Sequence, residues 1–180
     1  MKSLFLAVLL ASSPGIYCQA ASPHPMSSET QAKRPVPLQR TIENNGVAFD
    51  FFIAPANLLP NATDTSERLL LVKFRIRIPG TSESPFRYKL GVIEDYEKRV
   101  KFYAFEFNNN ITLYQDGALA PITGYSLDAN LNAAPFETFM AAFRLEKSYS
   151  QTAEDLHLQV VDPILSQGTI DLVIKKEELQ

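Results

Sequence analysis

Two histidines, His24 and His157, and one cysteine, Cys18, leave the chain few residues for nucleophilic or metal chemistry. A Ser-His-Asp triad needs a histidine at its centre. His24 stands among prolines, which leaves only His157. It lies between Leu156 and Leu158 in an alternating run, where a histidine usually faces solvent or a cross-strand partner. Zinc would need several His or Cys ligands at suitable spacing, and none is found. Carboxylates are more plentiful: Glu94-Asp95, Glu97, Glu106, Glu137 and Glu154-Asp155 could set two carboxyls across a cleft, as a glycosidase requires, yet no spacing selects a pair. The chain has no Trp, so Tyr96, Tyr103 and Tyr114 are the rings available as a sugar platform. Asp128-Ala129-Asn130-Leu131-Asn132 begins like a calcium loop, but Ala133 replaces the glycine of the sharp turn and Phe139 the bidentate glutamate. A polar connection is expected there. The seven glycines show no nucleotide-binding spacing, and no cofactor is expected.

Recognition has one better candidate. Lys73, Arg75 and Arg77 form a basic ladder along one strand face, which could meet an acidic protein or glycan, with Tyr103 as an aromatic companion. The plainer reading is a solvated face, neutralised across strands by Glu94, Asp95, Glu106 or Asp171. Asn61-Ala62-Thr63 and Asn110-Ile111-Thr112 match the glycosylation pattern, which matters if the source is eukaryotic.

The elements that would position these groups are short and extended. Leu69 to Ile78 organises them: Val72, Phe74, Ile76 and Ile78 alternate with the basic ladder, so one face is buried, and Pro79-Gly80 stops the run. Val47 to Ile53 alternates in the same way and ends at Pro55, followed by a polar connection from Ala54 to Glu67. Tyr88 to Ile93 reads as extended, with Gly91 a bulge, and Glu94 to Arg99 as a charged turn. Val100 to Phe107 reads as a central aromatic strand. Asn108-Asn109-Asn110 then reads as a tight hairpin returning through Ile111 to Tyr114, and Asp116-Gly117 as the next turn. Pro121 to Asn132 is less regular. Pro135 to Lys147 fits helix through Phe136, Phe139, Met140 and Phe143, or strand through Phe139, Ala141, Phe143 and Leu145. Strand is expected, since its flanks are strand and three Phe suit a sheet. Leu156 to Val160 and Ile170 to Ile174 complete the set.

Ahead of these elements, Lys2 and the apolar run Leu4 to Ala11 read as an export signal over residues 1–20, with cleavage after Ala20. The run is too short to span a bilayer. Cys18 stands where a bacterial lipoprotein is lipidated, but the bulky Tyr17 beside it departs from that pattern, so loss with the signal is expected and lipidation is the alternative. The exported part then has no thiol for a disulfide. Residues 21–40, rich in Pro and Ser, read as a flexible leader, and 41–180 as one domain. The net charge is −3, or −4 once Lys2 is removed, so neither nucleic acid nor an anionic membrane is attracted over the whole surface.

About eight short strands at sandwich-like spacing predict an all-β antiparallel sandwich. Over residues 45–176 the pattern resembles the immunoglobulin-like modules of exported proteins, without their paired Cys or buried Trp. The expectation is an exported, non-enzymatic binding or assembly module of the cell envelope or extracellular space. It is secreted, periplasmic or lipid-anchored, has a protein or glycan partner, and carries no transmembrane segment once the signal is removed. The alternative is a small secreted hydrolase using two carboxylates.

Overall fold

The computed structural model describes residues 37–56, 68–128, 130 and 133–179. The signal, Cys18, Asn61 and most of the expected leader lie outside them. Two antiparallel sheets form an all-β sandwich. The first has the order β1-β2-β3-β7-β6, from β1 (Leu38–Asn44), β2 (Val47–Pro55), β3 (Leu69–Arg77), β6 (Ile122–Asp128) and β7 (Phe136–Arg144). The second has the order β5-β4-β8-β9, from β4 (Ile111–Gln115), β5 (Ala118–Ala120), β8 (Leu156–Asp162) and β9 (Gly168–Ile174). Among the described residues one α-helix, α1 (Ile93–Phe105), precedes β4. Among the described residues no helix is long and apolar enough to cross a membrane.

β3 is central, as its alternation requires. It pairs with β2 on one side and β7 on the other, and Val72, Phe74 and Ile76 are fully buried. β7 is strand, with Phe139, Ala141 and Phe143 inward. Phe74 stacks on Phe139 at 5.0 Å between ring centroids, and Phe107 reaches both from the other layer at 6.3 and 5.7 Å. Such offset and edge contacts add to the burial of the rings themselves.

The largest departure from the sequence expectation is α1. Val100 to Phe107 is not a strand: residues 100–105 are helical, the chain then turns, and Phe107–Asn110 is one turn of 3-10 helix instead of a tight hairpin. Glu94 to Arg99 forms the first turns of the same helix, where Glu94 and Asp95 complement the positive end of the helix dipole. The physical reason lies in the spacing Tyr96, Val100, Tyr103, Phe107, which puts one apolar stripe on the core at steps of four, three and four. Alternation would have buried Phe105, which is 75% exposed. Tyr88 to Ile93 is not extended either. Residues 85–89 are turns, and the Arg99 guanidinium holds them by donating to the carbonyls of Pro85, Phe86 and Tyr88 at 3.0, 3.3 and 2.8 Å. Gly91 sits in a bend and not at a bulge.

β1 is a strand where composition gave a leader as far as Arg40. It joins β2 through Asn45-Gly46, whose φ values of 51° and 78° fit a two-residue hairpin turn. Asp116-Gly117 repeats that turn between β4 and β5 with φ of 50° and 77°. β1 also approaches the second sheet, where Asn44 Nδ2 donates to the Thr169 carbonyl at 3.0 Å. A Cβ on Gly168 would stand 2.6 Å from that nitrogen, so any larger residue would have to displace the Asn44 amide.

Glu137 is the exception on the inward face of β7. It is buried, and it accepts a hydrogen bond from Ser84 Oγ at 2.6 Å and one from the Asn130 amide at 3.4 Å. Burial pushes its carboxyl above the ordinary range, against those bonds. A raised carboxyl pKa means that folding takes up a proton. Stability is therefore fully present below the unfolded value and falls as pH rises toward the folded one. Glu137→Gln is expected to flatten this slope, and urea unfolding of both proteins at about pH 4 and 7 checks it. An unchanged slope would show that Glu137 is not the group responsible.

Candidate functional site

The inward set of β3 fixes where Lys73, Arg75 and Arg77 go: onto the outer face of the first sheet, half-exposed. Register decides their neighbours. Lys73 stands opposite Phe52 and Met140, Arg75 opposite Asp50 and Thr138, and Arg77 opposite Ala48 and Phe136. Phe52 and Phe136 are only partly covered, and Met140 is 44% exposed.

The three cations differ in what holds them. Arg77 Nε donates to Asp50 Oδ2 at 2.9 Å, and the Thr41 hydroxyl donates to Asp50 Oδ1 at 2.8 Å. Burial would raise the Asp50 carboxyl, but the bonds from Arg77 and Thr41 outweigh it and hold the carboxyl below the ordinary range. The partner of the ladder is therefore Asp50 on β2, and none of Glu94, Asp95, Glu106 and Asp171. Arg75 is stacked: its Cζ lies 5.4 Å from the Phe52 ring centroid and 4.7 Å from that of Phe136. Its Nε is buried without a hydrogen-bond partner. Lys73 has no ion pair among the described residues.

We find no match to this chain among protein-family models, curated proteins or solved structures. The site is therefore read from its own geometry.

That geometry sets two half-exposed cations, Lys73 and Arg75, among partly covered apolar side chains. A guanidinium packed between two rings has little freedom left to reorient. Tyr103, grouped with the ladder from sequence, does not belong to it. It is fully buried in α1, and its hydroxyl donates to Asp162 Oδ1 at 2.7 Å. Tyr96 is half-buried against the core, so of the three tyrosines considered as sugar platforms Tyr114 alone is exposed. Tyr114 and His157 are cross-strand neighbours on the outer face of the second sheet. Asn110 closes the 3-10 turn before β4 and is partly covered.

Two surface cavities each hold two carboxylates. One contains Asp95 and Glu106, whose backbones stand about 16 Å apart along the helix direction at 1.5 Å per residue. Asp95 is moreover 3.7 Å from Lys98. The other contains Glu154 and Asp171. Asp171 pairs with Gln159 on β8, and Glu154 sits in the bend before that strand. Glycosidase carboxyls face each other at about 5 to 9.5 Å, closer than the backbones of Asp95 and Glu106 stand. The described residues contain no group of three or more His, Cys, Asp or Glu side chains placed to hold a metal ion.

Proposed function

We propose that this chain is an exported binding module which presents the outer face of its first sheet to a carboxylate-bearing partner, either an acidic protein segment or an acidic glycan. The observation that carries the reading is Arg75, half-exposed, stacked between Phe52 and Phe136 and without an ion pair among the described residues. A carboxylate there would gain a charge-assisted bond with little side-chain ordering left to do. Lys73 stands one step along the same face, and Met140 gives it adaptable apolar contact.

Export rests on Lys2, the apolar run from Leu4 to Ala11 and the small residues around Cys18-Gln19-Ala20. It places the module in the envelope or extracellular space, free or lipidated at Cys18. The immunoglobulin-like reading rests on the antiparallel sandwich. The β1-β2-β3 meander and the α1 crossover are departures from that plan.

The test is affinity capture from envelope or extracellular extracts with the wild type and Arg75→Ala side by side, with polyglutamate and polyuronate as competitors. The partner is expected on the wild type alone, displaced by the competitor that matches its class. Arg75→Ala should change stability by less than about 1 kcal/mol, as for a half-exposed cation. A partner held equally by both proteins would sink the proposal.

A further inference from the structure

A second site lies away from Arg75, at the end of the sandwich where β3 begins and β7 ends. A cavity of about 830 Å³ opens there, within the range of small-molecule sites. Its apolar wall is Leu69, Ala118, Leu119, Ala120, Pro121 and Leu145, and its polar groups are Arg68, Arg144, Glu146 and Gln115. Leu119 is 61% exposed on the three-residue strand β5.

Part of the polar backbone around the cavity is paired. Leu145 N donates to the Arg68 carbonyl at 2.7 Å and Arg144 N to the Pro121 carbonyl at 3.0 Å. The buried Gln115 amide donates to the Lys147 carbonyl at 3.0 Å and accepts from the Glu146 and Lys147 amides at 2.8 and 3.3 Å. These bonds tie three segments together, and more of the lining is apolar than polar. The exposed rim groups carry two guanidiniums against one carboxylate. Among the described residues neither Arg68 nor Arg144 has an ion-pair partner. Apolar walls under a cationic rim match a molecule with an aliphatic tail and a single anionic head.

We propose that this cavity binds a free long-chain alkyl carboxylate, with its tail along Leu69, Leu119 and Leu145 and its head on Arg144 and Arg68. Titration calorimetry of the full chain with dodecanoate, dodecanol and acetate tests the proposal. Saturable one-to-one binding of dodecanoate is expected, with dodecanol about tenfold weaker, the worth of a bond between charged groups, and acetate not bound. Arg144→Gln should weaken dodecanoate, and Arg144→Gln with Arg68→Gln should bring it down to the affinity of dodecanol, without changing dodecanol itself. Leu119→Asp, at an exposed position, should weaken both ligands while the thermal midpoint stays put. Non-saturable uptake, binding only to dodecanoate-loaded vesicles, or an Arg144→Gln variant that holds dodecanoate as tightly as the wild type would overturn it.

Discussion

Truncating Phe74 to Ala is expected to lower the unfolding free energy by about 3 to 5 kcal/mol, a large share of a domain's stability. The side chain is fully buried in the central strand of a five-stranded sheet. Its ring meets Phe51 at 5.5 Å, Phe139 at 5.0 Å and Phe107 at 6.3 Å. Removing it loses transfer free energy and leaves a void at the junction of both layers, where β2 and β7 hold the backbone and limit collapse. Urea denaturation measures the loss. A cost below about 1 kcal/mol would mean that this ring cluster does not anchor the sandwich.

Asp162→Ala is expected to cost a similar amount, about 3 to 5 kcal/mol, for a different reason. The carboxylate is fully buried at the end of β8. Its Oδ1 accepts from the Tyr103 hydroxyl at 2.7 Å and from the amides of Ile164 and Leu165 at 3.0 and 3.1 Å, and its Oδ2 accepts from the Ser166 amide at 3.0 Å. Burial and the Asp162 charge together push the Tyr103 phenol far above its ordinary range, so the phenol stays a donor. Alanine would strand three amides and a phenol together, whereas Tyr103→Phe removes a single donor and should cost about 1 to 2 kcal/mol. Hydrogen exchange at residues 164–166 separates the two cases. Asp162→Ala should expose all three amides, and Tyr103→Phe should leave them protected. Equal exposure in both variants would refute this division.

Strands whose inward residues are all apolar were legible in the sequence. β3 and β9 announce themselves by alternation; β7 fitted both periods and carries the buried Glu137 inward, and the three-Phe argument decided it correctly because Phe139 and Phe143 do face inward. β1 was hidden because its inward positions are Leu38, Arg40, Ile42 and Asn44. Arg40 and Asn44 reach across to Glu178 and Thr169, and no local pattern records those contacts. The Asn45-Gly46 pair was a usable signal for this hairpin. α1 was misread because Val100 to Phe107 satisfies both periods, and only Tyr96 upstream extends the helical one. At the candidate site the outward direction of Arg75 followed from the burial of Phe74 and Ile76. Its aromatic clamp did not follow, because Phe136 reaches it through the β3-β7 pairing of strands far apart in the chain. Tyr103 was placed on the wrong side of the problem by the same misreading that made α1 a strand.

The claim most in need of test is that the outer face of the first sheet is the working surface. Backbone amide NMR during titration with polyglutamate, repeated with polyuronate, addresses it directly. The account predicts saturable shifts confined to Phe52, Lys73, Arg75, Phe136 and Met140, absent in Arg75→Ala. Shifts that instead gather at Tyr114, His157 and Val173 on the opposite sheet, or that persist in Arg75→Ala, would contradict it.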